Sequence, residues 1–441
     1  MNIILIVVDT LRADHLGCYG YPFATSPYID KIASEGTRAT RCYAPAIPTT
    51  PAHATIYTGC HPLRHNIVCH GGQVDLDRRL PVLPELLQQG GYTTAAVDNL
   101  YDIKNWFARG YEFYINPSFR HKLRLLVSCD EINRRAIPWL RAHSTEKFFL
   151  FVHYWEPHAP YLPPDRFRKF YPSGSSPFTS PDSMEPLRKQ PIWGMFHDIW
   201  FGKLGPIKDV DYVSSLYDGE IAHVDEGIEQ LLGALDKTGV SEDTLVVITG
   251  DHGESLTEHD IYFDHHGLYE PTIRVPLIMK LPHAIPAGKT AEPMCQHLDI
   301  APTLLQAAQI PIPDSMDGKS LWPRYTGKSD TGGWEEILSC ENTWQSKWSL
   351  RTETRKLILS RRPDRHGMPP RELYDLVNDP LELKNLAEES LSETEELTER
   401  LESRIREGLL RAGRNEDPLV TQPISLGQKW DDWVKLGAEK G

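Results

Sequence analysis

Residues 2–10, NIILIVVDT, decide the fold class. From Asn2 to Val8 the run is aliphatic and β-branched, with no polar alternation. A strand with one wet face alternates. A strand buried on both faces, inside a mainly parallel sheet covered by helices, does not. Asp9 and Thr10 follow at its carboxyl end, where open α/β sheets gather their ligands. The same phrase recurs downstream. Residues 92–97 are followed by Asp98 and Asn99, residues 148–153 deliver His153, Glu156 and His158 at their end, and residues 245–249 run straight into GDHGES. Residues 28–36 and 82–90 read as amphipathic helices stopped by glycine. Residues 212–235 form a longer helix with Ile221, Val224, Ile228, Leu231 and Leu232 on one face. The alternation predicts an α/β fold, a large mainly parallel sheet sandwiched by helices.

Near residue 325 the texture changes. EEILSCENTW, WSLRTETRKLILSRR and RELYDL read as short antiparallel strands, and 388–413 as a charged amphipathic helix. These features predict a catalytic domain at 1–325 and a small C-terminal α+β domain at 326–441. The final stretch, ISLGQKWDDWVKLGAEKG, carries two tryptophans suited to packing on the main domain or on a second subunit, so a homo-oligomer is expected through this domain or tail. No internal repeat stands out.

The totals narrow the function classes. The formal charge of −14 is spread along 441 residues with no long basic run, which disfavours nucleic-acid polymers and anionic membranes as partners. Seven cysteines without a CxxC pair argue against a disulfide framework or a structural zinc site. The apolar N-terminal run lacks a basic n-region and is too short to span a membrane, so it reads as a strand and a cytoplasmic location is expected.

Chemistry enters at residues 43–62, YAPAIPTTPAHATIYTGCHP. A Pro-rich loop leads into a helix, with Thr49 or Thr50 as its expected N-cap. A hydroxyl there sits in the positive field of a helix N-terminus, a setting that suits attack on a phosphate or sulfate ester. Asp9, Asp251 and His252 are hard or borderline ligands at buried strand ends. One divalent ion held by them and by Thr49 would lower the pKa of the hydroxyl.

Seven segments then carry a resemblance: the opening NIILIVVDTLRADHLGCYG, TTPAHATIYTG, FFLFVHYWEPHAPYLPP, LYDGEIAHVDEGI, GDHGESLTEHDIYFDHHGLYEPTIRVPLI, HLDIAPTLL and ELYDLVNDPLELKNLA. In these the chain resembles the sulfatase family of the alkaline-phosphatase superfamily over nearly its whole length. The resemblance implies a metal-assisted esterase with Asp9, Asp251 and His252 on one divalent cation (Ca²⁺, Mn²⁺ or Zn²⁺) and Thr49 as nucleophile. Thr10 stands where many sulfatases have a second Asp ligand. Asp218, Asp225 and Asp299 match family positions and are expected to cap helices or brace loops.

The departures bear on the reaction. Sulfatases oxidise a Cys or Ser, followed by x-Pro-x-Arg, to formylglycine; here the segment is Thr49-Thr50-Pro51-Ala52-His53. Threonine carries a methyl on Cβ, so its oxidation gives a ketone and not the aldehyde. The supporting arginine is replaced by His53. Asn99 and Tyr101 align where sulfatases place a Lys and a His near the sulfate, and His265 where they place a second Lys; His266 is its rival for facing the site. The pocket therefore resembles phosphonate monoester hydrolases and phosphodiesterases. The expected activity is hydrolysis of a phosphodiester or phosphonate monoester of a small molecule. In this scheme His158 or His265 acts as acid, and Asn99, Tyr101, His53 and Trp155 bind substrate. Sulfate-ester cleavage is the alternative, and an inactive sulfatase-like binding scaffold a further one. Two-metal diesterases use an EPD segment that reads Glu156-Pro157-His158 here, so a single ion is expected.

Overall fold

The strand Asn2–Val8 lies near the middle of an eight-stranded sheet and every one of its residues is buried. It pairs in parallel with Phe148–Tyr154 on one side and Thr244–Gly250 on the other. Thr93–Val97 and Phe113–Ile115 extend the parallel set beyond Phe148–Tyr154. Leu277–Lys280 pairs antiparallel with Thr244–Gly250, which makes the sheet mixed on that flank. The structure is a computed structural model and describes residues 1–118, 126–190, 192–329, 332–364 and 366–426.

The uniform aliphatic run is explained by what covers it. Helix Cys129–His143 packs against Val210–Asp236 on one face of the sheet, and the core holds Ile3 through Val8, Phe148 through Val152 and Leu245 through Ile248. Each such side chain, fully buried, contributes about 1.5–3 kcal/mol. Because the central strands run parallel, their carboxyl ends lie together, and Asp9, His153 and Asp251 arrive at one edge.

A second sheet of five strands is built from Ile337–Glu341, Lys347–Arg351, Arg355–Ser360 and Arg371–Asp375, with Ala46–Ile47 as its fifth strand. The segment just before Thr49 thus belongs to the smaller sheet, whose core also takes Leu63 and Val68. Helix Leu391–Arg411 buries Leu397, Leu401, Ile405 and Leu409 against it. Residues 427–441, which hold the two tail tryptophans, fall outside the described residues. Among those described, no helix is long and apolar enough to cross a membrane.

Candidate active site

Thr49 is the first residue of the helix Thr49–Thr58, and Pro48, not a threonine, is its cap residue. The expected capping role is therefore corrected. A residue inside the first turn cannot fold its hydroxyl back onto the N–H groups ahead of it, so the Thr49 hydroxyl is left to face the strand ends. Its Oγ1 lies 3.4 Å from Asp9 Oδ2 and 3.5 Å from His252 Nε2. Gly253 follows because a Cβ there would meet the Pro271 carbonyl oxygen at 1.9 Å.

Two of the three remaining ligand candidates, His252 and Asp251, are set by backbone contacts. His252 Nδ1 donates to the Gly253 carbonyl at 2.9 Å, which leaves Nε2 as the lone-pair nitrogen aimed at Asp9 and Thr49. Asp251 Oδ1 accepts from the backbone N–H groups of Thr10 and His252, at 3.1 and 2.8 Å. Asp251 Oδ2 and Asp9 Oδ1 are buried without a partner. Thr10 adopts φ 54°, a left-handed backbone rare for a β-branched residue, and in that conformation its N–H reaches Asp251. Such strain costs about 1–3 kcal/mol, so Thr10 is a brace on a ligand.

Asp9, Asp251 and His252 form a mutually close buried set, each fully inaccessible to solvent. Burial pushes Asp9 up and Asp251 up to about 7, the latter also through Asp9, and pushes His252 down to about 4. Two carboxylates with unmatched oxygens, a neutral imidazole and a hydroxyl make a donor set that fits one divalent cation.

Beside this cluster a cavity of about 190 Å³ opens, lined by Thr49, His158, His265 and Trp155 at its polar end. Met195, Phe196, Ile199 and Trp200 form an apolar wall opposite. Among the described residues no lysine or arginine lines it. His265 faces this cavity, whereas His266 turns away to His366, 2.6 Å between Nε2 atoms, which resolves the pair. His158 donates from Nδ1 to the Ala159 carbonyl, and burial holds it down to about 4.

Three expected substrate groups sit elsewhere. Tyr101 is 48 % exposed and packs on Tyr114, outside the cavity, because the chain turns outward after Asn99 into the short helix Leu100–Asp102. Asn99 is buried and accepts from Trp155 Nε1 at 2.5 Å, so it positions the tryptophan that lines the cavity. His53 lies behind the nucleophile: one turn along the helix, its Nδ1 donates to the Thr49 carbonyl at 2.9 Å. The bracing expected of Asp225 holds, since it accepts from the N–H groups of Tyr28 and Ile29. Asp218 pairs with His15 and Tyr21, and Asp299 accepts from Gln296 and Lys319.

Sequence reasoning missed the wall at 193–201, although its aromatic density was visible, and missed His70 and Trp344, which reach the cavity from distant segments. It registered His153 only as a polar strand-end residue. His153 is fully buried 3.4 Å from Asp9.

Residues 1–310 match the sulfatase family, and residues 257–409 match the C-terminal family of N-sulphoglucosamine sulphohydrolase. The chain belongs to the sulfatase family. It is 25 % identical to the N-acetylglucosamine-6-O-sulfatase of Bacteroides thetaiotaomicron, over 87 % of this chain and 82 % of that protein. Human arylsulfatase K is 26 % identical over 98 % of this chain and 88 % of its own length. A crystal structure of the phosphonate monoester hydrolase of Agrobacterium radiobacter superposes with a TM-score of 0.74 at 23 % identity, covering 92 % of this chain and 96 % of its own. The family's enzymes are metal-dependent ester hydrolases, and the donors around Asp9 fit the divalent ion that such enzymes bind.

Proposed function

We propose that this member of the family hydrolyses a small anionic phosphorus ester, a phosphodiester or phosphonate monoester, with unmodified Thr49 as nucleophile. The observation that carries the reading is the Thr49 hydroxyl, 3.4 Å from Asp9 and 3.5 Å from His252, on a residue whose methyl bars formation of an aldehyde. A divalent ion held by Asp9, Asp251 and His252 would lower the pKa of that hydroxyl and neutralise substrate oxygens; Ca²⁺, Mn²⁺ and Zn²⁺ all suit the mixed donors.

This chain's residues do the rest. Asp9 orients Thr49 Oγ1 for in-line attack. The Thr49 oxygen–phosphorus bond forms as the bond to the leaving oxygen breaks, giving a phosphoryl-threonine. His265, which borders the same cavity, delivers a proton to the leaving oxygen. Water then cleaves the phosphoryl-threonine. Among the described residues no lysine or arginine lines the cavity, so a singly charged ester suits it better than a doubly charged one. The apolar wall suits a compact apolar leaving group.

A second reading is favoured by the comparisons, which weigh more on its side: the relatives are mostly named sulfatases, so a sulfate ester is the substrate class they support. Attack by Thr49 would then leave a sulfated threonine with no hemiacetal route for release. Rates on aryl sulfate, aryl phosphate, bis-aryl phosphate and aryl phosphonate monoester, measured side by side, separate the two. The diester or phosphonate should turn over at least tenfold faster than the sulfate. Dominant sulfate turnover refutes the phosphorus reading, and no turnover on any of the four favours an inactive binding scaffold.

A further inference from the structure

Beside the cluster of Asp9, Asp251 and His252, and outside the lining of the cavity, two more histidines are buried without a solvent contact. His53 comes from the nucleophile's own helix and His153 from the central strand Phe148–Tyr154. Their rings stand perpendicular with centroids 4.9 Å apart. Both ring nitrogens of His153, Nε2 of His53 and Oδ2 of Asp251 have no hydrogen-bond partner. Leaving one such buried polar group unmatched costs about 1–3 kcal/mol, so four of them in one place call for an explanation.

Ligation supplies one. His53 Nδ1 donates to the Thr49 carbonyl, which leaves the unpartnered Nε2 as its lone-pair nitrogen, the arrangement of a metal-ligating imidazole. His153 Nε2 is 3.4 Å from Asp9 Oδ2, beyond the roughly 2.7–3.2 Å of an N–H···O hydrogen bond, so no hydrogen bond to that carboxylate satisfies it. His53, His153 and Asp251 bring one ligand atom each within 4.8 Å of one another, as do Asp9, Asp251 and His252. The five residues fall into two sets that share Asp251, not into one, and a single ion reaches donors only about 4.2 Å apart. Charge points the same way. Asp9, Asp251, an ionised Thr49 and a singly charged ester together balance two divalent ions and not one.

We propose that the chain holds a second divalent ion, of the transition-metal class, between His53, His153 and Asp251, with Asp251 bridging to the ion beside Thr49. The proposal rests on the Proposed function in taking the set at Asp9 to be metal-binding and, for the charge balance, Thr49 to be ionised against a singly charged ester. Two imidazoles with one carboxylate suit Zn²⁺ or Mn²⁺ over Ca²⁺ or Mg²⁺. The site differs from one on the Glu156-Pro157-His158 segment, since it draws on the nucleophile helix and the strand Phe148–Tyr154. Its ion would carry positive charge under Thr49 without occupying the substrate cavity.

Metal-depleted full-length protein, reloaded with Mn²⁺ and freed of excess, tests this by metal analysis and electron paramagnetic resonance. The wild type should retain two ions per chain with an exchange-coupled signal. His153→Ala and His53→Asn should each retain one, with the signal of an isolated ion; the shape-conserving His53→Asn guards against a fold lost at position 153, which thermal unfolding reports. One ion in the wild type, unchanged in both variants, overturns the second site and spares the first. No retained ion overturns both.

Discussion

Two regions of this molecule bury several charges, and they handle them in opposite ways. In the smaller sheet Lys347 sits 2.8 Å from Asp364 and 3.0 Å from Glu372, while Lys356 lies 2.9 Å from Glu270 and 2.7 Å from Glu382. Arg351 adds a contact to Glu270 at 3.1 Å. Each of these acids has a protein cation. At the strand ends of the larger sheet, Asp9 and Asp251 are as deeply buried, their neighbours are histidines that burial keeps neutral, and among the described residues no lysine or arginine answers them. The smaller sheet closes its charge with its own residues and is structural. The larger one leaves its charge open, which makes it a place for ions and for chemistry.

Removing one charge from each region should break this symmetry most visibly. Lys356→Met strands Glu382 beside Glu270, which keeps only Arg351, and should cost about 3–5 kcal/mol of stability, read from denaturant unfolding. Asp251→Asn, compared in chelator with chelated wild type, should cost nothing, because it relieves a like-charge pair; added Mn²⁺ should stabilise the wild type and not the variant. A large loss for Asp251→Asn in chelator would mean that protein groups already balance the carboxylates.

Acid sharpens the same contrast with a smaller effect. Burial alone would raise Glu270, but Lys356 and Arg351 overcome it and hold the carboxyl down to about 2, from an ordinary 4.5. Its folded value lies below its unfolded one, so its contribution is full above about pH 4.5 and is lost as pH falls toward 2. Glu270→Gln should therefore flatten the stability profile of metal-free protein in that window by about 1–3 kcal/mol. An unchanged slope would place the acid sensitivity elsewhere.

Much of this was legible in the chain itself, for local reasons. The unbroken run Asn2–Val8 states burial on both faces, and a parallel sheet must bring its strand ends, with Asp9 and Asp251, together. Thr49 and His53 are one helical turn apart, so their shared face follows from spacing. Tyr101 was misjudged because alignment on 92–97 carries a register past Asn99, where the backbone leaves the strand and turns outward. His70, Trp344 and the wall at 193–201 were missed because they reach the cavity by long-range packing that no local pattern encodes. The strand from residues 46–47 in the smaller sheet was hidden likewise: two residues carry no periodicity.

The central claim is that Thr49 itself takes the transferred group. Wild-type protein turning over an aryl phosphonate monoester, quenched in acid and digested, puts this to mass spectrometry directly. The account predicts an unoxidised Thr49 whose peptide gains the mass of the phosphonyl group during turnover and loses it on chase. An adduct on another residue, or an oxidised residue 49 in the resting protein, would contradict it.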